Sequence, residues 1–316
     1  MGSNAAERAP AANELLPAEL MRRVTQIQLR THRLVNDVLS GAYRSNFRGT
    51  GVEFEEVRRY QPGDDVRSID WNRTAKMGEA YVKNYVEERE LTLALLVDTS
   101  GSMDFGSGEI SKREAAASLC ALLAFVALRQ QDRVGLSLFG ETPGLHLAPR
   151  KGAGAVSRVV REVIAARPTR GGTDLAAVLE AQERTLRRRS LIFVVSDFLG
   201  LESGPAAQRW GDVAARLARR HDLIAVRVLD PFEETLPSAG LVRLAELENG
   251  GDVELDTRSA AVRERWAAAA VARREALRAA LVRAHVELLE LSTAGDLAEP
   301  VVAFFRRRAH RRGGPA

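Results

Sequence analysis

The sequence predicts an α/β fold: a doubly wound, mostly parallel sheet, with a small helical and β-rich N-terminal extension. The expectation rests on strand burial, element order and chain length. LTLALLVD (Leu91–Asp98) and LIFVVS (Leu191–Ser196) are continuous apolar runs, as strands covered on both faces must be. From Glu90 onward such runs alternate with helical stretches at the spacing of right-handed βαβ units. The chain has 316 residues, 45% of them hydrophobic, which suffices for one large domain with an appendage.

The elements follow in order. Residues 1–16 are rich in Ala, Asn and Pro and are expected to be disordered. Residues 17–89 form the lead-in. A helical pattern runs from Pro17 to Leu39, with Leu20, Val24, Ile27, Leu34 and Val38 at helical spacing. Gly41, Gly49 and Gly51 break it. GVEFEEVRRY and EAYVKNYVEER then alternate in part, as half-exposed strands do, with Pro62-Gly63 marking a turn between them. Residues 90–310 carry the main domain. After Leu91–Asp98 the pattern gives a helix over Ser111–Arg129, a strand Arg133–Phe139 and a short edge strand Gly144–Ala148. Helices Ala153–Ala166 and Asp174–Arg187 come next, then strand Leu191–Ser196, helix Gln208–Arg220 and strand Leu223–Leu229. Leu241–Glu246 and Val253–Asp256 flank Asn249-Gly250-Gly251, a strong hairpin signal. A long helix, Ser259–Ala284, a strand, Val286–Leu291, and a helix, Asp296–Arg308, close the domain, and residues 311–316 form a basic tail.

Composition narrows the function classes. The net charge is only +4 despite a sequence pI near 9.5, and acidic and basic residues interleave, so the pI is weak evidence for nucleic acid. Arg306, Arg307, Arg308, Arg311 and Arg312 make a basic run, which reads as a solvated helix end favoured by the helix dipole; no nucleic-acid partner is expected. The single cysteine, Cys120, rules out an internal disulfide framework and fits a reducing compartment. It lies in the apolar run Ala115–Leu128, which is shorter than the ~20 residues a membrane span needs. The first residues lack the apolar stretch of a secretory signal. The expectation is a cytoplasmic chain with no membrane span.

Three segments carry the chemistry. Asp98-Thr99-Ser100-Gly101-Ser102 follows the first apolar strand, Gly171-Gly172-Thr173-Asp174 opens a helix, and Ser196-Asp197 ends another apolar strand. In open α/β sheets ligands sit outside the carboxyl ends of the strands, so all three segments fall on one rim. Asp98, Ser100, Ser102, Thr173 and Asp197 there offer hard oxygen donors of the kind Mg²⁺ takes. Hydroxyls supply little charge, so such a site is one carboxylate short and suits recognition of a partner's acidic residue. No candidate nucleophile or base accompanies it, so no enzyme is expected; the alternative, a metal-assisted phosphoesterase at the same site, needs a base near the ion, and of the nearest in sequence, Asp104 and Asp174, the latter is also a natural first-turn helix residue. There is no phosphate-binding Gly-rich loop ending in Lys-Ser or Lys-Thr and no Gly-x-Ser-x-Gly elbow. The residue two after Asp98 is Ser100, where a haloacid-dehalogenase-type phosphatase needs a second Asp. The five histidines form no metal-spaced pair and read as surface or helix-end residues.

DTSGSM, GGTD and VVSDF resemble the metal-ion-dependent adhesion site of von Willebrand factor A-type domains. The resemblance covers about residues 90–310. It implies Mg²⁺ or Mn²⁺ held directly by Ser100, Ser102 and Thr173, with Asp98 and Asp197 acting largely through water. The preceding FEEVRRYQPGDDVRSIDWNRTAKMGEAYVKNYVEERE is similar to the signature of an uncharacterised bacterial family, domain of unknown function fifty-eight. That resemblance implies a MoxR-type AAA+ ATPase as partner, since members are commonly encoded beside one; the donor set of the cation site points to a target protein presenting an acidic residue, so the expected partner is the ATPase, such a target, or both. Some relatives carry membrane spans before this region. Within the stretch, Tyr60, Asp64, Arg67, Asp70 and Trp71 are candidates for partner docking. The competing expectation is structural: a tight turn, an Arg67–Asp pair and a packed Trp71.

Overall fold

A computed structural model describes residues 51–312, apart from 63, 66–68, 89, 90, 170 and 246–250. The expected disordered start, the helix at 17–39 and Arg67 lie outside the described residues.

One compact unit ends at Leu91, and the next residue, Thr92, begins another. In the first unit, strand β1 (Gly51–Arg59) pairs antiparallel with β2 (Tyr81–Glu88), with a register irregularity between Phe54 and Glu56. A helix, α1 (Trp71–Met77), stands between them, where only strands and a turn were expected. WNRTAKM has no apolar periodicity and buries no residue, so its signals are at its ends. The Asp70 side chain caps the start by accepting from the Arg73 N–H, and Gly78, at φ 75°, closes the end with its N–H on the Thr74 carbonyl.

The second unit is built on a six-stranded sheet. Its strands are β3 (Thr92–Asp98), β4 (Arg133–Phe139), β5 (Pro143–Arg150), β6 (Leu191–Ser196), β7 (Asp222–Leu229) and β10 (Glu287–Ser292), in the order β10-β7-β6-β3-β4-β5. All pairings are parallel except β4 with the edge strand β5. β3 and β6 are buried along nearly their whole length, as their unbroken apolar sequences require. The chain winds outward from β3 to β4 and β5, then returns to β6 on the other side. The topological switch therefore lies between the carboxyl ends of β3 and β6, where open α/β sheets bind ligands.

The helices are α2 (Lys112–Arg129), α3 (Ala153–Ala165), α4 (Leu175–Thr185), α5 (Gly204–Ala218), the single turn α6 (Pro231–Glu234), α7 (Ala260–Arg283) and α8 (Ala298–Arg312). α2 is buried almost all round, and Cys120 in it is a buried hydrophobe. The hairpin of β8 (Leu241–Ala245) and β9 (Asp252–Asp256) forms as expected, its turn lying outside the described residues.

The structure corrects several details. α5 starts at Gly204 rather than Gln208, because Pro205 suits a first helical turn. α8 continues to Arg312, so Arg311 and Arg312 belong to a helix and not to a tail. Arg308 is buried, paired with Asp222 at 2.6 Å and Glu287 at 3.0 Å. His221 stands at the end of α5, its N–H on the Leu217 carbonyl at 2.8 Å, as one of its two expected settings has it, but it is buried, only 3% exposed. Among the described residues, no helix is long and apolar enough to cross a membrane.

Candidate functional site

The site is assembled by backbone stitching. At the end of β3 the Thr99 N–H donates to the Phe139 carbonyl at 2.7 Å, which ties the loop after β3 to the end of β4. The loop before α4 is tied to both: the Thr169 N–H donates to the Thr99 carbonyl at 2.8 Å, and the Asp174 N–H to the Gly140 carbonyl at 2.9 Å. Gly140 is where this requires a glycine. A Cβ there would lie 2.1 Å from Thr169 Oγ1. These bonds hold Thr173 over Asp98, 75 residues away in sequence.

Asp98 is the centre. It is 2% exposed. Oδ1 accepts from the Ser100 N–H at 2.8 Å, and Oδ2 accepts from Ser196 Oγ at 2.6 Å. Ser196 Oγ in turn accepts from the Phe198 N–H at 2.9 Å. Thr173 Oγ1 stands 3.4 Å from both carboxylate oxygens, at the outer limit of a hydrogen bond, so it faces the carboxylate more than it binds it. Ser100 Oγ and Ser102 Oγ are 3.0 Å apart, and both residues are buried. Ser102 lies in a 3₁₀ turn, Gly101–Asp104, that the sequence did not predict. Burial first, and the neighbouring Asp197 charge second, push the Asp98 carboxyl up to about 6, against the pull of its Ser196 and Ser100 hydrogen bonds.

Asp197 sits beside this group with a different partner. Its Oδ1 accepts from the Leu199 N–H at 3.1 Å, and its Oδ2 takes the Lys112 ammonium at 2.6 Å. Lys112 is fully buried and also pairs with Glu233. Burial alone would lower the pKa of Lys112; the charges of Asp197 and Glu233 outweigh it and hold the ammonium above its ordinary value. Removing one partner of such a buried pair typically costs about 3–5 kcal/mol. Phe198, next in the chain, has φ 58°, a left-handed backbone that a bulky residue rarely adopts. Its ring is buried against Trp210, with centroids 6.3 Å apart, and this packing holds the conformation.

Lys112 and Glu233 were not among the residues singled out by sequence, yet each left a signal. Lys112 and Arg113 occupy the first turn of α2 after the Ser111–Glu114 capping box, the end at which the helix dipole disfavours cations. A basic pair there needs carboxylates to meet it. Lys112 meets Asp197 and Glu233, and Arg113 meets Asp104 at 2.6 Å. Glu233 belongs to a second capping box, with Asp230, directly after β7 on the same rim.

The site can therefore offer hard oxygen donors to a cation. Ser100, Ser102 and Thr173 present hydroxyls, and Asp98 presents a buried carboxylate that has no ion-pair partner among the described residues. Among the described residues no three His, Cys, Asp or Glu side chains are grouped to hold a metal, so any cation here would rest mainly on hydroxyls. This donor set, oxygen only and mainly hydroxyl, fits Mg²⁺ or Mn²⁺ better than Zn²⁺, whose sites are built chiefly on Cys sulfur and His nitrogen. The two alternative bases are engaged: Asp104 with Arg113, and Asp174 as the N-cap of α4 and partner of Arg209 at 3.2 Å.

In the lead-in unit, Asp64 is clamped by Arg58 at 2.7 and 2.8 Å and accepts from the Gln61 N–H at 2.9 Å. Asp70 caps α1, and the Tyr60 N–H bonds the Ala80 carbonyl at 2.9 Å. These three residues have structural partners. Trp71 is 65% exposed.

Residues 56–276 match the model of a family described as protein of unknown function DUF58. The chain belongs to this family. A protein of Mycobacterium bovis described as uncharacterized is 31% identical to this DUF58 chain over 300 residues, 94% of this chain and 92% of that one. An uncharacterized protein of Mycobacterium avium is 34% identical over 143 residues, 45% of this chain and 79% of that one. Among solved structures, the conserved hypothetical protein BatB of Bacteroides thetaiotaomicron is 13% identical, with TM-score 0.45, over 69% of this chain and 98% of that one. An aerotolerance-related membrane protein of Bacteroides fragilis is 15% identical, with TM-score 0.46, over 70% and 99%. The VWA domain of SpRpn10 is 13% identical, with TM-score 0.39, over 67% and 94%.

Proposed function

We propose that this DUF58 chain is a metal-ion-dependent protein-binding module, acting in the cytoplasm as adaptor or co-chaperone of a MoxR-type AAA+ ATPase. The observation that carries the reading is the setting of Asp98: a buried carboxylate without an ion pair among the described residues, faced by hydroxyls from two loops. A divalent cation would supply the missing positive charge. Ser100, Ser102, Thr173 and Asp98 would hold it, and Asp197, already tied to Lys112, would act from behind. When bound, the ion would leave a coordination place for a carboxylate of the partner. The engagement of Asp104 and Asp174 in ion pairs and a helix cap favours recognition over hydrolysis.

Calorimetry with Mg²⁺ and Mn²⁺ tests the first step. The wild type should bind, while Asp98→Ala and Ser100→Ala should lose at least tenfold in affinity and lose metal-dependent capture of the ATPase. Equal metal affinity in all three proteins defeats the proposal. Turnover of generic phosphoesters that is lost in Asp98→Ala would replace it with a hydrolase.

A further inference from the structure

Beside Ser102 opens a cavity of about 650 Å³ whose walls are mostly apolar. Phe105 comes from the loop after β3, Phe232 from α6, Leu236 from the loop after it, Val242 and Leu244 from β8, and Trp266 from α7. The alternation of β8 explains the hairpin's contribution. Val242 and Leu244 share one face, and Val253, directly opposite Leu244 in the register, extends that face while 54% exposed. Trp266 is fixed by its indole N–H, which donates to the Phe232 carbonyl at 2.9 Å. This volume lies in the range of small-ligand or side-chain pockets.

One cation without an ion pair among the described residues and one hydroxyl mark the cavity wall; the Glu233 carboxylate, also in that wall, is paired with the buried Lys112. Arg273, seven residues and two helical turns after Trp266, reaches its wall. Its only hydrogen bond among the described residues is a long one, 3.5 Å to the Glu233 carbonyl, and its buried Nε has no partner. Glu202 feels its charge without forming an ion pair among the described residues. Arg243, by contrast, is already paired with Asp252 across the hairpin. The second feature is Ser102 itself, one of the hydroxyls of the candidate cation site, which lies on the cavity wall.

We infer that the cavity seats a large apolar side chain of a partner's peptide segment whose acidic residues meet the cation site and Arg273. This rests on the proposed metal-dependent reading and deepens it by giving the partner a chemistry: acidic residues flanking an aromatic or long aliphatic one. An apolar cavity with an unpaired guanidinium in its wall, adjoining a site that calls for a carboxylate, complements that segment and no purely apolar one.

The test uses fluorescein-labelled synthetic peptides with a central Asp-Phe-Asp, Asp-Ala-Asp or Asn-Phe-Asn, titrated with the full chain in Mg²⁺ by anisotropy. Asp-Phe-Asp should bind at least tenfold more tightly than either of the others. Val242→Asp and Leu244→Asp, checked for fold by circular dichroism, should erase the preference for Phe while Mg²⁺ binding by calorimetry stays intact. Arg273→Ala should weaken Asp-Phe-Asp about tenfold and leave Asn-Phe-Asn unchanged. Binding should also shift tryptophan emission in the wild type but not in Trp266→Phe. Equal binding of the Phe and Ala peptides, no binding of any peptide to the Mg²⁺-loaded chain, or unchanged binding in both cavity variants overturns the inference. So does a dimer that falls apart in Val242→Asp, which would assign the cavity to a second copy. A Phe preference that persists in a chain without Mg²⁺ affinity would sink the metal reading and keep the cavity.

Discussion

At the scale of single residues, Asp98 shows how an environment gives one side chain its function. Its carboxyl is raised to about 6 by burial and then by Asp197. The sign follows. In the metal-free chain the protonated form is favoured by folding, so that stabilisation is complete below the ordinary carboxylate value of about 4 and is lost as pH rises through about 6. A cation needs the ionised form, so proton and metal compete. Mg²⁺ affinity should hold steady above pH 7 and fall by about tenfold per pH unit below about 6, as calorimetry across pH 5–8 would measure. A flat profile would place the binding elsewhere. Ser196 is part of the same setting. Of the pair Ser196-Asp197, it is the serine that hydrogen-bonds Asp98, while the aspartate turns to Lys112.

At the scale of elements, the decisive contacts are those between loops. Gly140 admits Thr169, and through it the loop that carries Thr173. Gly140→Ala should displace that loop and weaken Mg²⁺ binding at least tenfold, with far-ultraviolet circular dichroism unchanged because the sheet itself is untouched. In the lead-in unit, Asp70→Ala uncaps α1 and should cost about 1 kcal/mol of stability in urea unfolding. Trp71→Ala removes an exposed ring and should change stability by less than about 0.5 kcal/mol. Loss of ATPase capture in Trp71→Ala would therefore mark a docking residue, whereas the same loss in Asp70→Ala would be confounded by the helix. The edges of β3, β4 and β6 agree with the sequence to within a residue, because an apolar run covered on both faces can be little else. α1 was missed for the converse reason: a short, polar helix held by its two caps has no periodicity to read.

At the scale of the whole molecule, a buried neutral base ties stability to pH. His221 is buried with neither ring nitrogen bonded among the described residues, and burial, aided by Arg220 and Arg189, lowers its pKa. A base with a depressed folded pKa binds its proton more readily when unfolded. The stability it permits is therefore present above about pH 6.5 and is lost as pH falls below it, by at most about 1.4 kcal/mol per pH unit. Urea unfolding of wild type and His221→Phe between pH 5 and 8 should show a shallower acid slope in the variant; identical slopes would remove His221 from the account.

The parallel sheet and its switch-point rim follow from local pattern and chain order alone, because strands buried on both faces must be apolar throughout and the order of elements sets where the sheet reverses; Asp98, Ser100, Ser102, Thr173 and Asp197 stand at that rim. Which groups answer one another at that rim depends on long-range packing. The ammonium of Lys112 lies 85 residues from Asp197 in the chain, and the apolar cavity draws its walls from four separate stretches. Desolvated charge must find a partner wherever packing brings one, and packing at that range leaves no periodic trace in the sequence.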